Sequence, residues 1–512
     1  MNFALNIEKS CKNFPNKTCV VQGEIRLTFS QMEERANRQA RALLAMGVNP
    51  GDRVAIFQTN CFQFAEMIYA VGKVGGIFVN LNFRLRGEEV SYILNNSKPK
   101  ALILGDRYVE LVKNIQSNLP SIKSYIVIGT PPADMEGYET ILSRQSPTPF
   151  PCVPVEGNDT ACLIYTSGTT GLPKGAMLTH ANIVTPLADK HSFPAGTLLL
   201  NVPMYHIAGV VSTLLPLYRG DTQVILTQFE TGAFLEIVQK EKVATTYLVP
   251  TMLQGILDHS DFPKRDFSSL KGIGYGASPM PVKLLMRAKE VLKVEYTNYF
   301  GLTESTGIVS VLSPEDHRLE GTKEEVEKKT RRLAGIGHGI PEGEVRIVDN
   351  EDRDVPTGTV GEICARGKKV MKGYWNNPKA TEETLRGGWL HTGDLASMDE
   401  DGYLYLAGRK KDMIIRGGEN IYPVEIENVL HSHPKVLESA VIGVPDEYWG
   451  EIVKAVIVLK PGQQATSEEI IEYCREKLAS YKKPAIVEFV EALPKNAMQK
   501  VLKNVLRGGT PK

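Results

Sequence analysis

The segment whose residue types point most directly to chemistry is Tyr165-Thr-Ser-Gly-Thr-Thr-Gly-Leu-Pro-Lys-Gly175. Glycines let backbone N–H groups come close to an anion, hydroxyls donate hydrogen bonds, and a lysine adds positive charge. Thr166, Ser167, Gly168, Thr169, Thr170 and Lys174 therefore read as a phosphate-binding loop, following the apolar strand-like run 161–165. The G-x-x-x-x-G-K-[ST] spacing of a Walker A loop is absent, which argues against an ordinary P-loop ATPase or kinase. In Phe300-Gly-Leu-Thr-Glu304 the ring can stack on a purine, Gly301 permits a tight turn, Thr303 can donate to a phosphate, and Glu304 offers a hard oxygen to Mg²⁺. Asp394 sits in a Thr-Gly-Asp turn, where its carboxylate can accept from both hydroxyls of a ribose. The glycines at 272, 274 and 276, and at 335, 337 and 339, have G-x-G-x-G spacing, so the dinucleotide fingerprint is missing.

Such residues need a large scaffold. The chain has 512 residues, 42% hydrophobic and 23% charged, enough for roughly three structural units by the prior of about 150 residues each. Basic and acidic residues number 59 each, so no net field points to nucleic acid as a partner. Seven scattered cysteines without a CxxC pair disfavour a disulfide framework or a zinc site and fit a reducing cytoplasm. The N-terminus lacks a signal-peptide core, and the apolar stretch 197–218 is broken by Asn201, Pro203, His206 and Pro216, so it reads poorly as a membrane span.

Several elements are legible. Ser30-Gln-Met-Glu33 reads as a capping box for a helix over 31–46, ended by Gly47. A strand over 54–57, a helix over 62–71 and a strand over 77–80 continue an α/β alternation. The proline-rich stretch 145–159 reads as a connection between lobes, and the charged stretch 316–332 as a solvated helix or mobile loop. From Val424 onward helices over 424–431 and 467–478 and strands over 437–442, 453–459 and 486–490 predict a compact α+β module.

With these residues in view, the chain resembles the adenylate-forming superfamily of acyl-CoA synthetases, nonribosomal peptide adenylation domains and beetle luciferases. Further motifs stand in that family's order: Met204-Tyr-His-Ile-Ala-Gly209, Gly276-Ala-Ser-Pro279, Tyr299 to Glu304, Gly361-Glu-Ile363, Trp389-Leu-His-Thr-Gly-Asp394, Gly408-Arg-Lys-Lys-Asp412, Arg416-Gly-Gly-Glu-Asn420 and Pro494 to Lys500. The overall look is nearest to bacterial fatty-acyl-CoA synthetases. The resemblance implies an α/β fold: a large N-terminal region, 1–409, with two α/β sheets and a distorted β-barrel, and a small mobile α+β C-terminal domain, 410–512. It implies that Gly276, Ala277 and Ser278 admit adenine, that Phe300, Gly301, Leu302 and Thr303 hold the nucleotide, and that Arg409 adds a contact beside Asp394. Lys411 becomes the pivot between two half-reactions. Lys500 becomes the catalytic lysine, although Gln499 stands where relatives carry glycine. His206 lines the carboxylate end, with Thr303 also catalytic, and Gly417 and Gly418 let the pantetheine arm of CoA pass.

The implied reaction uses ATP, Mg²⁺ and CoA to turn a carboxylic acid into an acyl-CoA through an acyl adenylate. The stretches 205–211, 274–277 and 307–311, expected to line the acyl pocket, hold no carboxylate for a substrate ammonium, which disfavours amino acids. Gly209, Gly274 and Gly307 are expected to leave space for a long chain. A medium- to long-chain fatty acid is the leading substrate, with peripheral membrane contact compatible with so greasy a molecule. The alternatives are an aryl or alicyclic acid, a catalytically impaired acyl- or nucleotide-binding protein, and a luciferase-like oxygenase.

Overall fold

Residues on a strand alternate between its two faces, and this chain makes both faces of its parallel strands apolar. The computed structural model describes residues 2–166, 172–188, 194–495 and 501–509. In the strand Arg53–Phe57, Val54 and Ile56 enter one core while Ala55 and Phe57 enter another. Leu198 and Leu200 of the strand Leu198–Leu200 likewise separate from Leu199. The result is an eight-stranded and a nine-stranded sheet with helices between them and on their outer faces.

The helix Phe62–Lys73 belongs to the middle layer, where an apolar surface all round is required, and nearly every one of its residues is buried. The helix Phe29–Ala45 begins earlier than its sequence suggests. Thr28, not Ser30, is the N-cap: its Oγ1 accepts from the Gln31 N–H at 3.2 Å, and Gln31 Oε1 accepts from the Thr28 N–H at 2.8 Å. Capping-box spacing fits both positions, and the strand Ile25–Thr28, running straight into the helix, selects the earlier one. Gly47, with φ 77°, ends the helix as expected.

The proline-rich stretch 145–159 does not join lobes. It runs from the helix Tyr138–Ser143 to the strand Thr160–Thr166, and the strands on either side of it, Glu136–Gly137 and Thr160–Thr166, belong to the same eight-stranded sheet. Arg41 donates to the carbonyls of Ser146, Thr148 and Pro149, and Arg38 to that of Gln145, which straps the segment along the helix Phe29–Ala45. The charged stretch resolves into a short turn of helix, Pro314–His317, and a solvated helix, Lys323–Arg332, without a buried residue. The apolar stretch 197–218 splits into the strand Leu198–Leu200 and most of the helix Ile207–Arg219, and among the described residues no helix is long and apolar enough to cross a membrane.

The expected barrel is an open sheet. Strands Gly343–Val348, Gly361–Gly367, Leu390–Met398 and Leu404–Arg409 pair antiparallel in that order, and among the described residues the two edge strands do not close on each other. One face packs Ile347, Ile363, Ala396 and Leu404 against Phe300 and Leu302, which ties this sheet to the end of the nine-stranded one. After Arg409 a single 3-10 turn, Lys410–Asp412, leads into a separate C-terminal sheet that starts at Ile414, ahead of Val424. The helices Pro423–His431 and Ser467–Arg475 cover its core.

Candidate active site

Two strand ends build the first half of the site. The hairpin of Thr160–Thr166 and Lys174–Thr179 pairs Thr166 with Lys174 and Tyr165 with Gly175, where a Cβ would lie 2.9 Å from the Tyr165 ring. Ser167, Gly168, Thr169 and Thr170 lie outside the described residues. The short strand Gly373–Tyr374 pairs with Lys174–Thr179 and lays Tyr374 beneath the hairpin, with Lys174 Nζ 5.3 Å from its ring centroid.

The strand Glu295–Phe300 supplies the second half. Beyond it the chain doubles back so tightly that a Cβ on Gly301 would lie 2.4 Å from the Gly307 carbonyl oxygen, while Thr306 adopts φ 52°. Only glycine fits at 301. The turn holds Thr303 and Glu304, 4% and 8% exposed. Tyr374 donates its hydroxyl proton to Glu304 Oε1 at 2.6 Å, and Thr166 Oγ1 donates to the same oxygen at 3.5 Å. Burial, and then the Glu304 charge, push the Tyr374 phenol well above its ordinary pKa, so it stays a donor. Thr166, Lys174 and Glu304 are thus brought together. Tyr374, the side chain that joins them, carried no motif signal beyond its place in Gly373-Tyr-Trp375.

Among the described residues no cluster of three or more His, Cys, Asp or Glu side chains could hold a metal, and the side-chain partners of Glu304 are the neutral hydroxyls of Tyr374 and Thr166. One carboxylate with a neighbouring hydroxyl is nevertheless what Mg²⁺ needs when substrate phosphates and waters complete its octahedron. The donor set fits that ion.

The glycines of the neighbouring strand Gly272–Gly276 have a packing reason. A Cβ on Gly276 would lie 2.2 Å from the Tyr299 carbonyl oxygen and 2.6 Å from the Tyr247 hydroxyl. Ala277 follows with φ 64°, a left-handed conformation that costs a non-glycine residue roughly 1–3 kcal/mol. Gly276 pairs with Tyr299, so Gly276, Ala277 and Ser278 stand beside Phe300 and Leu302. His206 caps the helix Ile207–Arg219: its Nδ1 accepts from the Ala208 N–H at 3.3 Å, the tautomer that leaves the proton on Nε2. Ile207 lies 3.5 Å from where a Cβ on Gly307 would be, which sets this helix start against the Glu304 turn. Gly209 opens no space for a substrate chain. Its absent Cβ would fall 2.0 Å from the Pro203 carbonyl oxygen, so the tight approach of backbone explains the glycine.

Asp394 sits on a bulge. Strand Leu390–Met398 pairs Leu395 with Glu362 and His391 with Cys364, leaving Thr392, Gly393 and Asp394 opposite a single residue. Bulges re-aim side chains in this way. Asp394 is buried, pairs across the next strand with Arg409, and forms an ion pair with Arg409 Nε at 2.9 Å. Lys411 is exposed in the turn that follows. Gly417 and Gly418, at φ 58° and 87°, form a hairpin turn in the C-terminal sheet, where a Cβ on Gly417 would lie 2.7 Å from the Trp449 ring and the Arg416 guanidinium lies 4.6 Å from that ring's centroid. They belong to that sheet and not to the Glu304 cluster. Lys500 and Gln499 lie outside the described residues.

A hairpin beside a buried carboxylate, small residues at a parallel strand end and a carboxylate on a bulge are the parts that the sequence motifs led one to expect in a nucleotide-handling α/β protein. The chain belongs to the AMP-binding enzyme family: that family matches residues 7–375, and the AMP-binding enzyme C-terminal domain matches residues 425–500. A feruloyl-CoA synthase of Amycolatopsis is 37% identical over 96% of both chains. A long-chain-fatty-acid–CoA ligase of Mycobacterium tuberculosis is 34% identical over 94% of this chain and 93% of its own. The crystal structure of an anthranilate CoA ligase in complex with anthranoyl-AMP superposes with a TM-score of 0.90 at 29% identity, covering 99% of this chain and 97% of that one.

Proposed function

We propose that the protein is an ATP-dependent acid–CoA ligase that activates a medium- to long-chain fatty acid. The observation that carries this reading is that Thr166 and Tyr374 both donate to Glu304 at the mouth of the hairpin, with Lys174 packed over the Tyr374 ring. A substrate carboxylate oxygen attacks the α-phosphorus of ATP, the bond to the β-phosphate oxygen breaks, and pyrophosphate leaves. The CoA sulfur, as thiolate, then attacks the carbonyl carbon and AMP leaves. Glu304, with Thr166 nearby, would hold Mg²⁺, which when bound would neutralise charge on the phosphates.

Around it the chain positions and stabilises. Thr166 to Thr170 and Lys174 cradle the phosphates, and Thr303 donates to one of them. Gly276, Ala277, Ser278 and Phe300 to Leu302 bound the adenine. Asp394 accepts from the ribose hydroxyls with Arg409 beside it, and His206 presents an Nε2 proton to the carboxylate end. Lys500 places positive charge between two anions that must meet. Residues 1–409 bind ATP and acid. Residues 410–512 turn about Lys411 to bring first Lys500 and then the Gly417-Gly418 turn to the reacting atoms.

An aryl acid is the second reading. Tyr247 and Tyr299 face the same side of the sheet as Gly276, their ring centroids 6.4 Å apart, and would present aromatic walls to a planar acid. Feruloyl and anthranoyl ligases among the similar proteins support it. The deciding experiment is pyrophosphate release with Mg·ATP and acetate, octanoate, palmitate, benzoate or ferulate, with and without CoA, alongside Lys500→Ala. Palmitate- or octanoate-dependent release that the substitution abolishes, with acyl-CoA formed only when CoA is present, is the expected result. Release with ferulate or benzoate alone installs the second reading, and saturable ATP binding without release overturns both.

A further inference from the structure

The bulge that carries Asp394 rests on one carboxylate. Glu362, on the strand Gly361–Gly367, is 5% exposed and divides its oxygens between two partners. Oε1 accepts the Gly393 N–H at 3.1 Å, and Oε2 accepts from Lys410 Nζ at 3.1 Å. Gly393, at φ 71°, immediately precedes Asp394, and Lys410 immediately follows Arg409. One side chain therefore grips the backbone on one side of the Asp394–Arg409 pair and the side chain on the other.

Two further groups stand near Oε2. Arg386 Nη2 and His391 Nδ1 are each 3.6 Å away. Arg386 is committed to a two-pronged pair with Asp352, at 3.0 and 2.9 Å. Burial, and then the Arg386 charge, hold the His391 imidazole below its ordinary pKa, so it is neutral near neutral pH. Lys410 is the cation at bonding distance. It is also the first residue of the turn Lys410–Asp412, beyond which the chain enters the C-terminal sheet.

We propose that Glu362 is a positioning residue that couples the nucleotide-holding bulge to the hinge, one carboxylate oxygen serving each. The inference rests on reading Asp394 as the ribose ligand and the turn Lys410–Asp412 as the pivot. Lys410 is the last residue before the pivot Lys411, so the Glu362–Lys410 pair fixes the backbone from which the C-terminal module turns and thereby weights one orientation against the other. The Glu362–Gly393 bond keeps Asp394 aimed in either. A two-state element biased by a defined contact is what coupling of this kind requires.

The two oxygens can be tested separately. Glu362→Gln keeps an oxygen for Gly393 but turns an NH₂ toward Lys410, donor against donor. ATP KM for acid-dependent pyrophosphate release should stay within about twofold, while the ratio of acyl-CoA formation to pyrophosphate release shifts roughly tenfold. Lys410→Met should reproduce that shift, and the double variant should add nothing to it. Glu362→Ala frees the bulge as well, and ATP KM should rise roughly tenfold. A uniform loss of both half-reactions in Glu362→Gln, an ATP KM that rises as much in Gln as in Ala, or an unchanged ratio in Lys410→Met would overturn the proposal.

Calorimetric titration with ATP and small-angle X-ray scattering carry the same comparison without turnover. Gln and Met variants should alter the scattering profile alike, and only Ala should weaken ATP binding. Identical profiles for wild type and all variants refute the coupling. A wild-type protein inactive on every acid would refute the ligase reading alone.

Discussion

Glu304 and Glu362 are both nearly buried carboxylates in the same chain, and their surroundings are opposite. Among the described residues Glu304 receives neutral hydroxyls, from Tyr374 and Thr166. Glu362 receives an ammonium and a backbone N–H, with a guanidinium and an imidazole close behind. Taking a carboxylate out of water costs several kcal/mol unless charge compensates it. At Glu362 the protein supplies the compensation itself, and the group holds structure together. At Glu304 the described residues supply no cation within bonding distance, the arrangement that the proposed Mg²⁺ role of this carboxylate calls for. The contrast separates a site from its scaffold without appeal to motif.

The strongest test replaces each charge by its neutral isostere. Glu304→Gln should lower acid-dependent pyrophosphate release roughly 10²–10³-fold at saturating Mg²⁺, the scale seen when a preorganised electrostatic group is lost. Glu362→Gln should leave that half-reaction nearly intact. Equal losses in the two variants would erase the distinction. Tyr374→Phe sharpens it: Glu304 keeps its charge but loses its better donor, and the Mg²⁺ concentration for half-maximal release should rise about tenfold with little change at saturation.

Why the sequence displayed one carboxylate and concealed the role of the other is a matter of range. Glu304 sits in a local pentapeptide whose glycine and threonine have their own chemical reasons, so it stood out as a candidate from spacing. Glu362 lay in Gly361-Glu-Ile363 without a role, because its partners are Gly393 and Lys410, brought near only by strand pairing. Tyr374 was missed for the same reason: it meets Glu304 across a strand that joins the hairpin from far along the chain. Local signals also misled where two readings shared one pattern. Capping-box spacing at 28–31 and 30–33 was ambiguous until the incoming strand chose Thr28, and prolines at 147–154 marked a strap held by Arg38 and Arg41, not a boundary between lobes. The parallel strands were legible because burial on both faces leaves short continuous apolar runs, as at 54–57 and 77–80.

Stability should run opposite to activity at the two carboxylates. Glu304→Gln removes a nearly buried carboxylate to which the described residues offer only neutral donors, so it should leave stability unchanged or raise it by up to about 2 kcal/mol in denaturant melts. Glu362→Gln leaves Lys410 without its partner. Because Lys410 is itself 40% exposed, water and salt absorb part of the loss, and a destabilisation of roughly 1 kcal/mol is expected. Reversed signs would mean that Glu304 is held by the protein and Glu362 is not.

The smallest effect is the pH dependence of that last difference. Burial works to raise the Glu362 carboxyl pKa, but the Lys410 hydrogen bond and charge, the Gly393 N–H and the nearby His391 outweigh it and hold the group below the usual carboxylate value. A carboxyl depressed in the folded state stabilises fully above its unfolded pKa and loses that contribution as pH falls through the folded value. The melting-temperature gap between wild type and Glu362→Gln should therefore be constant around neutrality and close as pH falls below about 4. Thermal melts across that range check it. A gap that persists unchanged to about pH 3 would show that the hydrogen-bond geometry at Gly393, and not the charge shared with Lys410, is what Glu362 contributes.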